Sequence, residues 1–346
     1  MKAAVLVSLN KPLDIALDVE LPVLRRGQVL VKLAYSGVCH SQIMEARGRR
    51  GDDPWLPHLL GHEGSGRVIQ IGEGVTKVAP GDMVILGWIK GDGIEAGGAQ
   101  YQRAGKTVNA GGVTTFNEYA VVSENRVVML PEGVPLDVAV LFGCAIPTGA
   151  GIVLNELQPR ENASFAVFGL GGIGLSALMA TQLFTPKTVI AIDINEEKLA
   201  LARDFGATHT INSRNEDALA EILRIVPGGV DYSVDASGHT NVIETAFKAV
   251  RRNGGLCVFA SHPEQGAQIK IDPYELICGK QIRGSWGGAV RPDRDIPRFA
   301  KLYTDGKLPL QRLISKSYSL DQINAALDDL EGGYVGRPLI KIDPTI

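Results

Sequence analysis

Cysteine, histidine and glutamate stand beside glycine at three places in this chain: Gly37-Val38-Cys39-His40-Ser41, Gly61-His62-Glu63-Gly64 and Leu141-Phe142-Gly143-Cys144. Thiolate and imidazole suit zinc, and a site built from three such donors keeps a fourth position open for water or substrate. Each stretch alone reads equally well another way. A single cysteine in an apolar run is most often a small buried hydrophobe, and a histidine between polar residues and glycine is at home in a turn.

A fourth stretch is more specific. The apolar run Ser164 to Phe168 enters Gly169-Leu170-Gly171-Gly172-Ile173-Gly174, a helical pattern follows, and a second apolar run ends on Asp193 about 20 residues later. Strand, glycine turn, helix and acid in that order are the fingerprint of a dinucleotide site. Gly169 permits the tight turn, Gly171 lets a pyrophosphate approach the backbone, and Gly174 lets helix and strand pack closely, while Gly172 and Ile173 open the helix whose free N–H groups face the phosphates. A carboxylate at Asp193 would accept hydrogen bonds from the adenosine ribose hydroxyls and repel a 2′-phosphate. NAD is therefore expected rather than NADP.

Two kinds of element must position these groups. From Met1 to about Pro131 short β-type runs alternate with turns: Val29 to Ala34, Gly66 to Ile71, Met83 to Leu86 and Tyr119 to Val122, which predicts a barrel-like β unit. From Ser164 apolar strands alternate with amphipathic helices predicted over Ile173 to Phe184, Glu196 to Phe205 and Val242 to Val250, which predicts an α/β unit with a doubly wound parallel sheet. The tail adds a helix from Leu320 to Leu330 and a strand from Pro338 to Ile342.

Composition excludes several classes. The 346 residues are 45% hydrophobic and 21% charged, as in ordinary globular proteins, and a length of this order suggests about two domains. A net charge of −3 leaves no basic footprint for nucleic acid, and the apolar runs are too short for a membrane span. The opening MKAAVLVSLNKPLDI has no secretory pattern, and four cysteines are too few for a disulfide scaffold, so the cytoplasm is the expected address.

GVCHS, GHEGSG, GCAIPTGAG and GLGGIG occur in the order and spacing of the medium-chain zinc-dependent alcohol dehydrogenases. The chain resembles that family, and its liver and class III branch, over nearly its whole length to Gly336-Arg337. The resemblance implies a GroES-like β-rich catalytic domain over 1–146, completed by 286–346, and a Rossmann NAD-binding domain over 147–285, with the active site in the cleft between them. It implies one catalytic zinc on Cys39, His62 and Cys144, with Glu63 as a nearby carboxylate able to visit the metal. Ser41 would begin a proton relay. His40 and Arg337 would contact the pyrophosphate, Lys198 the adenosine ribose, and Thr148 and Ile173 the nicotinamide. The implied reaction moves a hydride between a primary or secondary alcohol, or its aldehyde or ketone, and NAD, in a homodimer or homotetramer.

Departures from the family pattern carry expectations of their own. Met44 stands where some members have a relay histidine, and Gln42 where many have an aspartate supporting the ligand histidine. Trp88 aligns with an aromatic pocket wall, but Ala110 and Gly111 lie where bulky walls are common, which implies a roomy substrate pocket. The segment GWIKGDGIEAGGAQYQRAGKTVNAGG holds no cysteine where relatives carry a four-cysteine structural-zinc lobe, so about one zinc per subunit is expected. A polyol or sugar dehydrogenase is the nearest alternative, although such enzymes often place a carboxylate where Cys144 stands. A zinc-free quinone reductase and an idle NAD-binding protein are further alternatives, which the intact donor set opposes. Cys257 and Cys278 read as buried thiols, and His58, His209, His239 and His262 as surface or loop histidines.

Overall fold

Alternating Val, Leu and Ala side chains make Gln28–Gly37 the longest strand of the computed structural model, which describes all 346 residues. It is buried on both faces and organises the sheet around it. One edge pairs antiparallel with Gly64–Ile71, while the other is shared: Gln28 to Lys32 pair with Tyr119–Ser123, and Tyr35 to Gly37 with Pro338–Lys341. The last strand of the chain is thereby laid beside the residues that lead into Cys39. Met83–Leu86 and Val127–Met129 extend this sheet on one side and Lys316–Ser319 on the other. Val29, Val31, Leu33, Val84, Leu86, Ala120 and Val122 fill its core. A second, five-stranded sheet runs Asp14–Ala16, Ala3–Leu6, His58–Leu59, Lys106–Asn109, Gln100–Arg103.

These sheets belong to a unit formed by Met1–Cys144 and Arg291–Ile346; the other unit is Ala145–Val290. The second unit is a six-stranded parallel sheet. Its order is His209–Asn212, Thr188–Asp193, Ser164–Phe168, Tyr232–Asp235, Leu256–Phe259, Gln281–Gly284. Numbered along the unit this is 3-2-1-4-5-6, the doubly wound order, whose direction reverses at strand Ser164–Phe168. Ala166, Phe168, Ile190, Ile192, Val230 and Cys257 are among its buried core. Asn195 caps helix Glu196–Asp204 by accepting the Glu197 and Lys198 N–H groups, and Asp217 does the same for Ala218–Ile225. Each such cap contributes about 1 kcal/mol.

The fold class is the one the sequence predicts, with shifts at element ends. Helix Gly172–Thr181 stops early and finishes as a tighter 3₁₀ turn over Gln182–Phe184, and the tail helix runs Ile323–Glu331 after a similar turn at Leu320–Gln322. Helix Pro292–Thr304 was not expected; it buries Ile296, Phe299 and Ala300 at helical spacing despite Pro297 inside it. Pro292 sits in the first turn, where a missing N–H costs nothing, and buried Asp295 accepts the Arg291 N–H. His58 is a correction: it is not a surface or loop residue but is buried at the start of strand His58–Leu59. Among the cysteines, Cys257 is fully buried and Cys278 is partly exposed behind helix Pro273–Ile277. No single helix is long and apolar enough to cross a membrane.

Asp235, at the end of strand Tyr232–Asp235, has no exposure to solvent. Its Oδ1 accepts from the Ser237 N–H and hydroxyl, at 3.3 and 2.7 Å, while its Oδ2 has no partner. Burial raises this carboxyl from its ordinary 3.8 to about 6. The folded state therefore binds the proton more tightly than the unfolded state. The stabilisation is complete below about pH 4 and is lost as pH rises through 6. Asp235→Asn removes the buried charge. By urea unfolding the variant is expected to be more stable than wild type at pH 7.5 by up to roughly 3 kcal/mol, with the difference vanishing near pH 4. A gap that widened on acidification would contradict this account.

Candidate active site and dinucleotide loop

Cys39 follows strand Gln28–Gly37 and sits, in extended conformation, as the N-cap of helix His40–Ala46. His62 lies between strands His58–Leu59 and Gly64–Ile71, and Cys144 follows the short helical turn Val140–Gly143. The fold brings one donor atom from each of Cys39, His62 and Cys144 to within 4.8 Å of one another. Close packing around Glu63 makes this possible. A β-carbon on Gly37 would meet Glu63 Oε1 at 2.6 Å, and one on Gly143 would meet the Leu86 carbonyl at 2.4 Å and the Glu63 β-carbon at 2.8 Å. The Glu63 carbonyl accepts from the Gly37 N–H, the Ser36 hydroxyl and the Thr115 hydroxyl, at 3.2, 3.2 and 2.9 Å. Ser36 and Thr115 were not legible as site residues, because nothing in their own neighbourhood marks them.

The imidazole is held from one side. Its Nδ1 faces the Gln42 amide nitrogen and, at 3.3 Å, the Ser41 hydroxyl, whereas its Nε2 is buried with no hydrogen-bond partner. A buried donor or acceptor without a partner is costly, and a cation among the three donors would resolve it. The thiols point the same way. A hydrogen bond with Cys144 holds Cys39 well below the ordinary thiol range, helped by His62 and Arg337 against burial. The same hydrogen bond, with burial and the Cys39 charge, pushes Cys144 well up. The pair thus accepts one negative charge readily, and the second thiol ionises only for a cation placed between them. The donor set fits zinc.

Gln42 meets two demands. Its Oε1 accepts the Cys39 N–H at 3.0 Å, which turns its amide N–H toward His62 Nδ1. A metal on Nε2 leaves the ring proton on Nδ1, so two donors would then face each other. The proton can go to the Ser41 oxygen, or the amide can turn over and release the Cys39 cap. An aspartate or glutamate would have no such conflict.

Glu63 and Arg337 form a buried ion pair in which Arg337 Nη2 reaches both carboxylate oxygens. Burial raises Glu63 above the usual carboxylate range, and the guanidinium opposes that rise. Arg337, expected at the pyrophosphate, has its side chain on Glu63. His40 is exposed on the first turn of its helix, and Met44 is buried on the same helix. Trp88 is half-buried, and a β-carbon on Gly111 would meet nothing within 4 Å.

In the second unit the loop from Gly169 to Gly174 joins strand Ser164–Phe168 to helix Gly172–Thr181. Gly169 has φ +80°, and a β-carbon there would meet the Ser237 backbone at 2.8 Å; one on Gly174 would meet the Gly169 carbonyl at 1.9 Å. A β-carbon on Gly171 would meet nothing within 4 Å. Two glycines thus serve packing, and the third leaves room above the backbone. The Asp193 carboxylate accepts the N–H groups of Leu170, Ile194 and Asn195 at 2.7, 2.8 and 3.0 Å, so it also shapes the loop. Lys198 lies in the first turn of helix Glu196–Asp204, half-buried. Thr148 is buried on helix Ala145–Gly151, and Ile173 is half-buried at the helix start.

Residues 25–132 match the alcohol dehydrogenase GroES-like domain, and residues 172–305 match the zinc-binding dehydrogenase family. The chain is 32% identical over 374 aligned positions to S-(hydroxymethyl)glutathione dehydrogenase of Paracoccus denitrificans, covering 98% of this chain and 99% of that one. It is 30% identical to alcohol dehydrogenase 2 of Zea mays, over 99% and 97% of the two chains. Among solved structures it is similar to benzyl alcohol dehydrogenase of Acinetobacter calcoaceticus, with a TM-score of 0.89 at 32% identity and 99% of each chain covered.

The glycine geometry separates two effects. Gly174→Ala is expected to force helix and strand apart and destabilise the second unit by about 1–3 kcal/mol. Gly171→Ala should leave thermal stability unchanged within about 0.5 kcal/mol while weakening dinucleotide binding at least tenfold. Calorimetric unfolding and cofactor titration of both variants check this, and equal losses of stability would count against it.

Proposed function

Because the chain belongs to the zinc-binding medium-chain alcohol dehydrogenase family, we propose that Cys39, His62 and Cys144 hold its catalytic zinc and that the loop Gly169 to Gly174 holds NAD. The observation that carries this reading is the buried, unpartnered Nε2 of His62 beside two thiols that resist sharing more than one charge. Bound zinc supplies Lewis acidity, making a substrate hydroxyl easier to deprotonate. Ser41, next to His62, receives the hydroxyl proton and passes it on. Met44 cannot carry it further, so the proton leaves to water. NAD, when bound, would supply the hydride acceptor, and we place Thr148 and Ile173 beside its nicotinamide.

Glu63 and Arg337 act as a unit in this reading. Arg337 opposes the rise that burial imposes on Glu63, and as an ion pair the two contribute no net charge beside the zinc donors. When dinucleotide binds, Arg337 is the group that can turn toward its phosphates, with His40 beside it, and Glu63 is then the carboxylate available to the metal. Asp193 and Lys198 take the adenosine ribose. The cysteine-free segment from Gly87 to Gly112 is read as a deleted structural-zinc lobe, in keeping with an alignment longer than the 346-residue chain. One tightly held zinc per chain follows. A dimer or tetramer completes the reading, with the cytoplasm as its address, where four free cysteines are at home.

The substrate is an alcohol, or the matching aldehyde or ketone, whose wall around Gly111 is open. A panel of ethanol, benzyl alcohol, S-(hydroxymethyl)glutathione and polyols, followed by NADH absorbance, tests it. Cys39→Ala and Cys144→Ala are each expected to lose zinc and at least a thousandfold in kcat while still binding NAD; full activity without metal would overturn the assignment. Asp193→Asn removes the charge that repels a 2′-phosphate. The ratio of kcat/KM for NAD over NADP should fall at least tenfold. The ratio, rather than either value, is the readout, because loop damage affects both cofactors alike.

A further inference from the structure

Histidine 58 is buried, at 5% exposure, and its two ring nitrogens have unlike neighbours. Nδ1 lies 2.9 Å from the Leu59 carbonyl. A carbonyl only accepts, so Nδ1 carries the ring proton. Nε2 faces two carboxylates: Asp53 Oδ2 at 2.7 Å and Glu45 Oε1 at 3.8 Å. One donor atom from each of Glu45, Asp53 and His58 lies within 4.8 Å of the other two. Asp53 also accepts the Trp55 N–H at 2.9 Å, and the only other charge at the cluster is Arg50, 3.5 Å from the outer oxygen of Glu45.

With Nδ1 donating, Nε2 can meet a carboxylate oxygen only through a shared proton or a cation. A single proton satisfies one carboxylate and leaves the second in repulsion with the first. A divalent cation offsets both. A histidine whose far N–H is held by a backbone carbonyl is the usual way a protein orients an imidazole toward a metal. We propose that Glu45, Asp53 and His58 form a second, exchangeable divalent-cation site, distinct from the Cys39, His62 and Cys144 cluster. One imidazole and two carboxylates suit manganese, cobalt or zinc without the preference for soft metals that two thiolates impose. The Glu45 side chain is about one-third exposed, so water completes the coordination and the cation exchanges readily. This site is therefore compatible with one tightly held zinc per chain.

Its position suggests what it does. Glu45 is on helix His40–Ala46, which also carries Gln42 against His62, and His58 is pinned by pairing with Leu6 and Asn109. A cation there ties the helix to the sheet. It would stiffen the support of the zinc ligands without touching substrate.

The test is titration of zinc-loaded enzyme with Mn²⁺, followed by electron paramagnetic resonance. Expected is one rapidly exchanging Mn²⁺ per chain, with nitrogen coupling from a single imidazole and a rise in melting temperature on binding. Glu45→Gln, on the accessible side of the cluster, should weaken Mn²⁺ at least tenfold while leaving zinc content and alcohol oxidation without Mn²⁺ unchanged. His58→Gln should abolish the nitrogen coupling; Asp53→Asn, which spares the buried ring, provides a second check if that variant folds poorly. Absence of saturable Mn²⁺ binding, or binding equally strong in Glu45→Gln and Asp53→Asn, overturns the proposal. None of these results depends on the first site, whose zinc and activity are read in the same samples.

Discussion

Glu63 has no exposure to solvent, and much of the first unit is arranged around that fact. A carboxylate so buried must be paired or give up its charge. Arg337 pairs it, donating to both oxygens, although the two are 274 positions apart in sequence. The chain can deliver Arg337 because strand Pro338–Lys341 pairs with Tyr35 to Gly37, immediately before Cys39. Such a pair adds little net stability, since desolvation offsets most of the attraction. Losing one partner, however, leaves an uncompensated charge worth about 3–5 kcal/mol. The pair therefore acts as a constraint more than a source of stability, holding the return of the chain, the Glu63 backbone and both cysteine approaches in one register.

Around that constraint the metal donors are left deliberately short of partners. His62 Nε2 is buried and unbonded, and the thiols share a proton that a cation would displace. An unpartnered imidazole nitrogen beside two thiols that share one proton costs free energy, and metal binding would recover it. Ordering here is thus coupled to affinity, because whatever stiffens helix His40–Ala46 reduces what binding must still supply.

The second unit solves a different problem with backbone alone. Its sheet order reverses at strand Ser164–Phe168, the strand whose end leads into the glycine loop. Gly174 allows helix and loop to touch, Gly171 leaves the surface bare, and Asp193 ties the loop to the next strand. The resulting shape needs few side chains, so it depends on the absence of β-carbons at particular places.

That dependence explains why this loop was readable in advance while much of the first unit was not. Glycine spacing and the alternation of strand and helix act over a few residues, through sterics and local hydrogen bonds, and they are present in the sequence as such. The helix at Pro292–Thr304 was missed although Ile296, Phe299 and Ala300 recur at helical spacing; Pro297 inside it is a local signal against a helix that burial of that face overrides. The sequence by itself determined the parallel sheet, the glycine loop and the types of donor available for metal. Tertiary structure alone decided that Arg337 faces Glu63, that Gln42 presents an N–H to His62, and that His58 is buried against two acids. Those are long-range choices among charged and polar groups, set by which segments the sheets bring together, and no local pattern encodes them.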